Sequence, residues 1–347
     1  MSRVDVIIPC YKYAHYLVEC VESVLGQSHH DLRVLIIDDA SPDNTPDVAE
    51  GLTARDGRVE YRRHEANKGH IATYNEGLEW TSGDYTLLLS ADDLLVPGAI
   101  ERAVRVMDEQ PEVGFIYGKA IWFQSEEPKP AFRTSAGSCE WRVVRGQDWL
   151  EGVCREGVNP LTSPEVMVRT SLQRGLGGYR PELTHSGDME MWMRFAANGD
   201  VGVIEADQAY YRIHGKAMSL GYVKAKDATT IRMALGDYWQ RKGAFDAVFR
   251  GQGDRIAGRA RLEGLANQGL SWDAFWSAHK AFEAGDKQTC QEFLDFAAQV
   301  YPELTERPEW SRMRWKRAVG SRAWSTIRPI LGWIRSRSGT EPVCVAS

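Results

Sequence analysis

Between residues 4 and 117 the chain alternates short apolar runs with stretches of helical apolar spacing. Residues 4–8 form the first run, stopped by Pro9, and 33–37, 59–62, 85–89 and 113–117 form four more. Leu17, Val21, Val24 and Leu25 recur at helical spacing after the first run. Ile71, Tyr74, Asn75 and Leu78 do so after the third, and Ile100, Ala103, Val104 and Met107 after Pro97. Strands separated by crossover helices must lie mainly parallel, and such sheets are covered on both faces. The expected fold is therefore α/β, with ligands bound beyond the carboxyl ends of the strands. Acids sit at those ends: Asp38 and Asp39 after the second run, Asp92 and Asp93 after the fourth. A third acidic motif, Ser186-Gly187-Asp188-Met189-Glu190-Met191-Trp192, opens an amphipathic helix. Carboxylate pairs just past buried strands are costly unless something binds them. A divalent metal and a polar nucleotide would do so.

Composition narrows the function classes. A net charge of −6 over 347 residues argues against a nucleic-acid face, which would be basic. Six cysteines are scattered with no C-x-x-C pair, so neither a zinc site nor a disulfide framework is expected. They read as small buried hydrophobes in a reducing cytosol, which places the chain in the cytoplasm. The start runs straight into a strand, so no signal peptide is expected. No run of about 18 apolar residues predicts a spanning helix.

Residues 122–145 read as a loop or hairpin, 164–169 as a strand, and 201–204 and 209–212 as two more. Past Val223 the pattern is helical only. Helices are predicted over 224–242, 244–266, 271–284 and 286–300, with Gly243, Gly269 and Gly285 as punctuation. Two domains follow: an α/β unit over 1–222 and a helical region over 223–347. Residues 312–337 are basic and rich in Trp. They are open to a peripheral contact with the inner face of a membrane, but docking on the core is preferred, because Pro329 interrupts a long helix.

The first strand is followed by Pro9-Cys10-Tyr11-Lys12-Tyr13, neither a G-x-G-x-x-G turn nor a P-loop. Phosphates must then be neutralised by other means, and a metal held by carboxylates is the natural one. The ordered set Val6-Ile7-Ile8-Pro9-Cys10-Tyr11, Ile36-Ile37-Asp38-Asp39-Ala40-Ser41, Asn67-Lys68-Gly69, Gly83-Asp84-Tyr85, Ser90-Ala91-Asp92-Asp93, Gly187-Asp188 and Tyr211-Arg212-Ile213-His214 resembles the family 2 glycosyltransferases of the GT-A fold. The resemblance covers about residues 1–220, with nucleotide binding over roughly 1–120 and the acceptor side over 121–222.

That resemblance implies an inverting enzyme that moves a sugar from a nucleoside-diphosphate sugar, UDP-linked by preference, with Mn²⁺ or Mg²⁺ as cofactor. Asp39, with Asp38, matches the carboxylate motif that meets the nucleotide base. Pro9 and Tyr11 match the base-packing positions, and Lys68 and Gly69 the donor loop. Asp92 and Asp93 match the acidic metal motif: one meets the ribose or a metal-bound water and the other binds the metal, Asp93 by preference with Asp92 close behind. His214 matches a histidine near the diphosphate, a third metal ligand or a phosphate donor. Asp188 matches the general base. Two positions depart from the pattern: Ser90 and Gly187 stand where relatives carry acids. The acceptor is a saccharide, a lipid-linked saccharide or a small molecule, and the oligomeric state is open. The rival is a non-catalytic nucleotide-sugar-binding module on the same fold.

Overall fold

The computed structural model describes residues 2–132, 140–215 and 228–321, together with 323, 324 and 326. The strands are β1 (Val4–Cys10), β2 (Leu32–Asp38), β3 (Val59–Arg63), β4 (Tyr85–Leu88), β5 (Leu94–Leu95), β6 (Val113–Gln124), β7 (Trp141–Val144), β8 (Val166–Arg169) and β9 (Asp200–Ile213). They form one sheet in the order β3-β2-β1-β4-β8-β6-β9-β5, with β7 also on β9. The first four strands pair in parallel. β8 then runs antiparallel to both β4 and β6, so the sheet is mixed rather than purely parallel.

The crossovers are α1 (Ala14–Leu25), α2 (Thr45–Arg55), α3 (His70–Trp80) and α4 (Ala99–Glu109). β1 shows why both faces are covered. Val4, Val6 and Ile8 join a core with α1, α2 and α4, while Ile7 joins a second core on the other face. The expected α4 stripe Ile100, Ala103, Val104 and Met107 is buried throughout. Asp5 ties the layers at the strand start. It is fully buried and accepts from Arg33 Nη2 at 2.7 Å and from the Ser82 and Gly83 amides at 2.6 and 2.7 Å. Burial raises its proton affinity, but the Arg33 and amide bonds outweigh that and hold the carboxyl below its ordinary range.

The second core is built by α3, α5 (Gly146–Glu156), α7 (Gly187–Ala196), α8 (Ala228–Gln252) and α9 (Arg259–Glu283); α6 (Thr170–Leu176) follows β8. Phe245 and Phe249 of α8 pack there beside Met191 and Phe195 of α7. The helical region therefore shares a core with the α/β unit. A third cluster joins α8 and α9 to α10 (Lys287–Val300) and α11 (Pro308–Val319).

The sequence expectations for the helical region change in one respect. Gly243 and Gly269 do not end helices; they lie inside α8 and α9. A Cβ on Gly269 would stand 2.5 Å from the Arg155 carbonyl oxygen, and one on Gly243 would stand 3.1 Å from Leu183 Cδ2. Both glycines are close-approach points, which sequence cannot separate from breaks. The two strands expected over 201–204 and 209–212 are one continuous β9, and β6 runs seven residues past its expected end at 117. Of the basic tail, α11 buries Met313 and leaves Trp315 51% exposed; all of 327–337 lies outside the described residues. Among the described residues no helix is long and apolar enough to cross a membrane.

Candidate functional site

The carboxyl ends of β1 and β2 turn sharply. Lys12 and Ala40 both take left-handed backbone conformations, φ 65° and 55°, which non-glycine residues seldom adopt. The Asp39 amide on the Cys10 carbonyl (3.0 Å) and the Lys12 amide on Ser41 Oγ (3.1 Å) hold the two turns together. Strain kept by cross-links at strand ends marks a site built for a purpose other than stability. Pro9 remains in register on β1, opposite Ile37, and Tyr11 follows it 39% exposed. Cys10 is buried, and burial pushes its thiol up to about 12, so it is not a reactive group.

Asp38 and Asp39 divide their work. Asp38 points inward and fully buried, accepting from the Ser41 amide at 2.7 Å and from the Tyr61 hydroxyl at 3.1 Å. Asp39, 4% exposed, grips the loop before α3: its carboxylate accepts from the Lys68 amide at 2.7 Å and the Gly69 amide at 2.9 Å. His64 Nδ1 lies 2.7 Å from the same carboxylate, and His64 Nε2 lies 2.9 Å from Glu76. Burial raises the Asp39 proton affinity, yet His64 and the two amides bring it below the ordinary value. Lys68 contributes its amide, while its ammonium pairs with Glu76 at 3.0 Å. A cavity of 710 Å³ opens beside this clamp, lined by Arg62, Arg63, His64, Asn67, Lys68 and Glu76; it does not extend to Asp92 or Asp188. His64 and Glu76 escaped the sequence reading. The signal was strand register: Arg63 pairs with Asp38, so the next residue of each strand end also meets.

Asp92 and Asp93 lie in the turn after β4, closed by the Asp93 amide on the Ser90 carbonyl at 3.0 Å. The far end of β9 holds them in place. The Arg212 amide donates to Asp93 Oδ1 at 2.9 Å, Arg212 Nε donates to the Asp92 carbonyl at 2.8 Å, and His214 Nε2 lies 3.0 Å from Asp92 Oδ2. Tyr13 and Tyr16 pack on the His214 ring, both at 5.3 Å. Burial first, and the Asp92 charge second, push the Asp93 carboxyl well above its ordinary value. Asp93 is buried and Asp92 half-buried beside it, and a divalent cation would offset the charge of the pair. Among the described residues no three His, Cys, Asp or Glu side chains converge as a metal cage. A cation held by one or two carboxylates takes its remaining ligands from substrate phosphates and water, and the Asp92–Asp93 pair fits that kind of site.

Asp188 stands in the first turn of α7. An aspartate there ordinarily caps a helix amide. Here the carboxylate instead reaches across to β8's approach, where Ser163 Oγ donates to Oδ2 at 2.8 Å. Oδ1 is buried and, among the described residues, meets no donor at hydrogen-bond geometry. Burial first, then the Asp188 charge and a hydrogen-bonding interaction with that carboxylate, hold the Tyr179 phenol protonated, although no donor completes hydrogen-bond geometry on Oδ1 among the described residues. Tyr74 and Tyr179 stack edge to face at 5.3 Å, and both sense Asp188. Gly187 leaves room for that wall, since a Cβ there would stand 3.1 Å from Tyr179 Cδ1. Glu190 is fully buried between Arg180 (2.9 Å) and Arg194 (3.0 Å), which removes it as a competing base. Glu165 is a further acid that the sequence did not mark. It is buried two residues past Ser163, and its charge interacts with those of Asp188 and Asp93. Asp92, Asp93, Asp188 and Glu165, from separate parts of the chain, thus lie within electrostatic reach of one another or of Tyr74.

The sequence model described as Glycosyl transferase family 2 matches residues 5–147. An uncharacterized glycosyltransferase of Rickettsia felis is 30% identical over 217 residues, 62% of this chain and 33% of that one. The putative glycosyltransferase EpsE of Bacillus subtilis is 27% identical over 218 residues, 61% of this chain and 72% of that one. The chain spans about a third of the length of the Rickettsia relatives, at 33% for that of R. felis. Among solved structures, residues 1–349 of S. aureus TarS superpose with a TM-score of 0.60 at 18% identity, over 87% of this chain and 81% of that one. The same TarS fragment has been solved in complex with UDP-GlcNAc, again with a TM-score of 0.60. At that identity the likeness concerns the fold, a mixed α/β sheet of GT-A type with helices at its carboxyl-terminal side. The family model and the curated relatives converge on the region that carries the acidic strand ends, so residues 5–147 of this chain are similar to glycosyl transferase family 2.

Proposed function

We propose that the chain transfers a sugar from a nucleoside-diphosphate sugar, UDP-linked, to an acceptor hydroxyl with inversion. The observation that carries this is the Asp188 carboxylate: one oxygen is fixed by Ser163, and the other is buried and, among the described residues, meets no donor at hydrogen-bond geometry. A buried, unpaired carboxylate oxygen is expensive in a resting protein and is relieved by a hydroxyl donor. In an inverting displacement the acceptor oxygen attacks the anomeric carbon opposite the leaving phosphate. Asp188 takes the hydroxyl proton, the new C–O bond forms, and the anomeric carbon–phosphate oxygen bond breaks.

The strand ends hold the donor. A carboxylate has about four acceptor sites, and Asp39 spends three on His64, Lys68 and Gly69. The remaining site suits one imide N–H, as on uracil, and Tyr11 offers its exposed ring to a flat base. The UDP-GlcNAc complex of TarS, which shares the fold, supports a uridine donor. Asp92 and Asp93 would hold a divalent cation, with His214 bonded to Asp92 keeping that carboxylate in place. When bound there, the cation offsets the charge that develops on the departing diphosphate. The acceptor is a saccharide, a lipid-linked saccharide or a small molecule that brings its hydroxyl to Asp188.

A hydrolysis screen over UDP-, GDP- and dTDP-sugars, each with Mn²⁺ or Mg²⁺, tests this. Turnover of a UDP-sugar is expected, lost in excess chelator and restored by either metal. Undiminished turnover in chelator rules out the metal role of Asp92 and Asp93. Binding of a nucleotide sugar with no turnover on any donor favours the non-catalytic module instead.

A further inference from the structure

The Thr162–Glu165 turn has no place in the motifs that carry the family resemblance, yet it touches the proposed base directly. Residues Ser163–Glu165 form a single turn of 3-10 helix that runs straight into β8, the strand between β4 and β6. The turn is locked from within. Glu165 accepts from the Thr162 amide at 2.8 Å and from the Thr162 hydroxyl, and Pro164 is buried inside it. Ser163 is thereby held to the sheet, while Asp188 belongs to α7. The Ser163–Asp188 bond joins two elements that the chain separates by 25 residues.

From this geometry we infer that Ser163 is a positioning residue for Asp188: its hydroxyl occupies Oδ2, so that Oδ1 is the oxygen presented to the acceptor. Resting on the proposed role of Asp188, the inference adds what selects the reactive oxygen. A carboxylate on the first turn of a helix has a competing use, which is to cap that helix's own amides. Ser163 draws the group away from that use, and the locked turn keeps the donor from following the carboxylate as it moves. Near-attack placement is sensitive to shifts of about 1 Å, so loss of this one bond reaches the rate without touching the nucleotide.

The test uses the full chain and the UDP-sugar that turns over fastest in the hydrolysis screen. Ser163→Ala lowers kcat roughly ten- to hundredfold, as expected for loss of a hydrogen bond to a charged group. The KM for the UDP-sugar stays within about twofold, because the donor is held elsewhere. Ser163→Thr keeps the hydroxyl and restores most of the rate. Unchanged kcat in Ser163→Ala, or a Thr variant no better than the Ala variant, overturns the inference. Crystal structures of the wild type and Ser163→Ala give a readout independent of turnover. A carboxylate rotated away from its wild-type position supports positioning, and an unmoved one overturns it. Wild type without turnover on any donor instead counts against the transferase role itself, so the two failures are told apart.

Discussion

Glu165 shows how much one buried carboxyl can decide. Burial pushes its carboxyl from 4.5 up to about 7, against the Thr162 bonds that lower it and with the Asp188 charge adding to the rise. A carboxyl raised in the folded state binds its proton more tightly there than in the unfolded chain. Its contribution to stability is complete below about 4.5 and is lost as pH rises through about 7. A rise of this size corresponds to about 3 kcal/mol across that window. Glu165→Gln cannot titrate, so the variant lacks this slope. Urea unfolding at pH 5 and pH 8 measures it: the wild type loses on the order of 2–3 kcal/mol more than the variant between the two. Parallel pH profiles would contradict the assignment. Sequence pattern singles out Asp39, Asp92, Asp93, Asp188 and His214 because each follows an apolar run or sits in an ordered motif. Glu165 lies in a Ser-Pro-Glu stretch whose meaning depends on what the fold brings against it, and His64 depends on the β2–β3 register. Ordinary local propensity carries neither signal.

At the scale of elements, the strands of the first half and the helices α1, α3 and α4 are legible because their apolar spacing is strong. α2 is harder to read, since only Thr45, Ala49 and Leu52 of it are buried. The helical half is misdivided at its glycines. Gly269 meets the end of α5, where Gly157 answers it with a left-handed turn, φ 70°, whose own Cβ would stand 2.6 Å from the Leu270 amide nitrogen. Two effects compete in Gly269→Ala. Helix propensity gains about 1 kcal/mol, while overpacking costs roughly 1–3 kcal/mol. The obstructing atom is a backbone carbonyl oxygen at 2.5 Å, which cannot swing aside as a side chain can. The steric term therefore wins, and thermal unfolding of Gly269→Ala occurs below the wild type, by about 1–2 °C per kcal/mol lost for a chain of 347 residues. A higher melting temperature would mean that α5 and α9 are not pressed together at this point.

Across the whole molecule, the site exists only because distant segments converge. β2 brings Asp39, the turn after β4 brings Asp92 and Asp93, α7 brings Asp188, and the end of β9 brings Arg212 and His214. The mixed sheet was legible as α/β from its alternation, but the insertion of antiparallel β8 between β4 and β6 was not. A four-residue apolar strand carries no mark of its direction, and that placement is what sets Ser163 and Glu165 near Asp188. The same convergence makes the proposed chemistry separable from folding and from donor binding. Asp188 lies on α7 and spends no hydrogen bond on the nucleotide loop, so Asp188→Asn alters the proton acceptor alone. The decisive measurement is UDP-sugar turnover by Asp188→Asn beside UDP affinity by calorimetry in Mn²⁺. A fall in kcat between about a hundredfold and ten-thousandfold, with UDP affinity unchanged, is expected of a lost general base. Turnover within a few fold of the wild type would remove Asp188 from the chemistry.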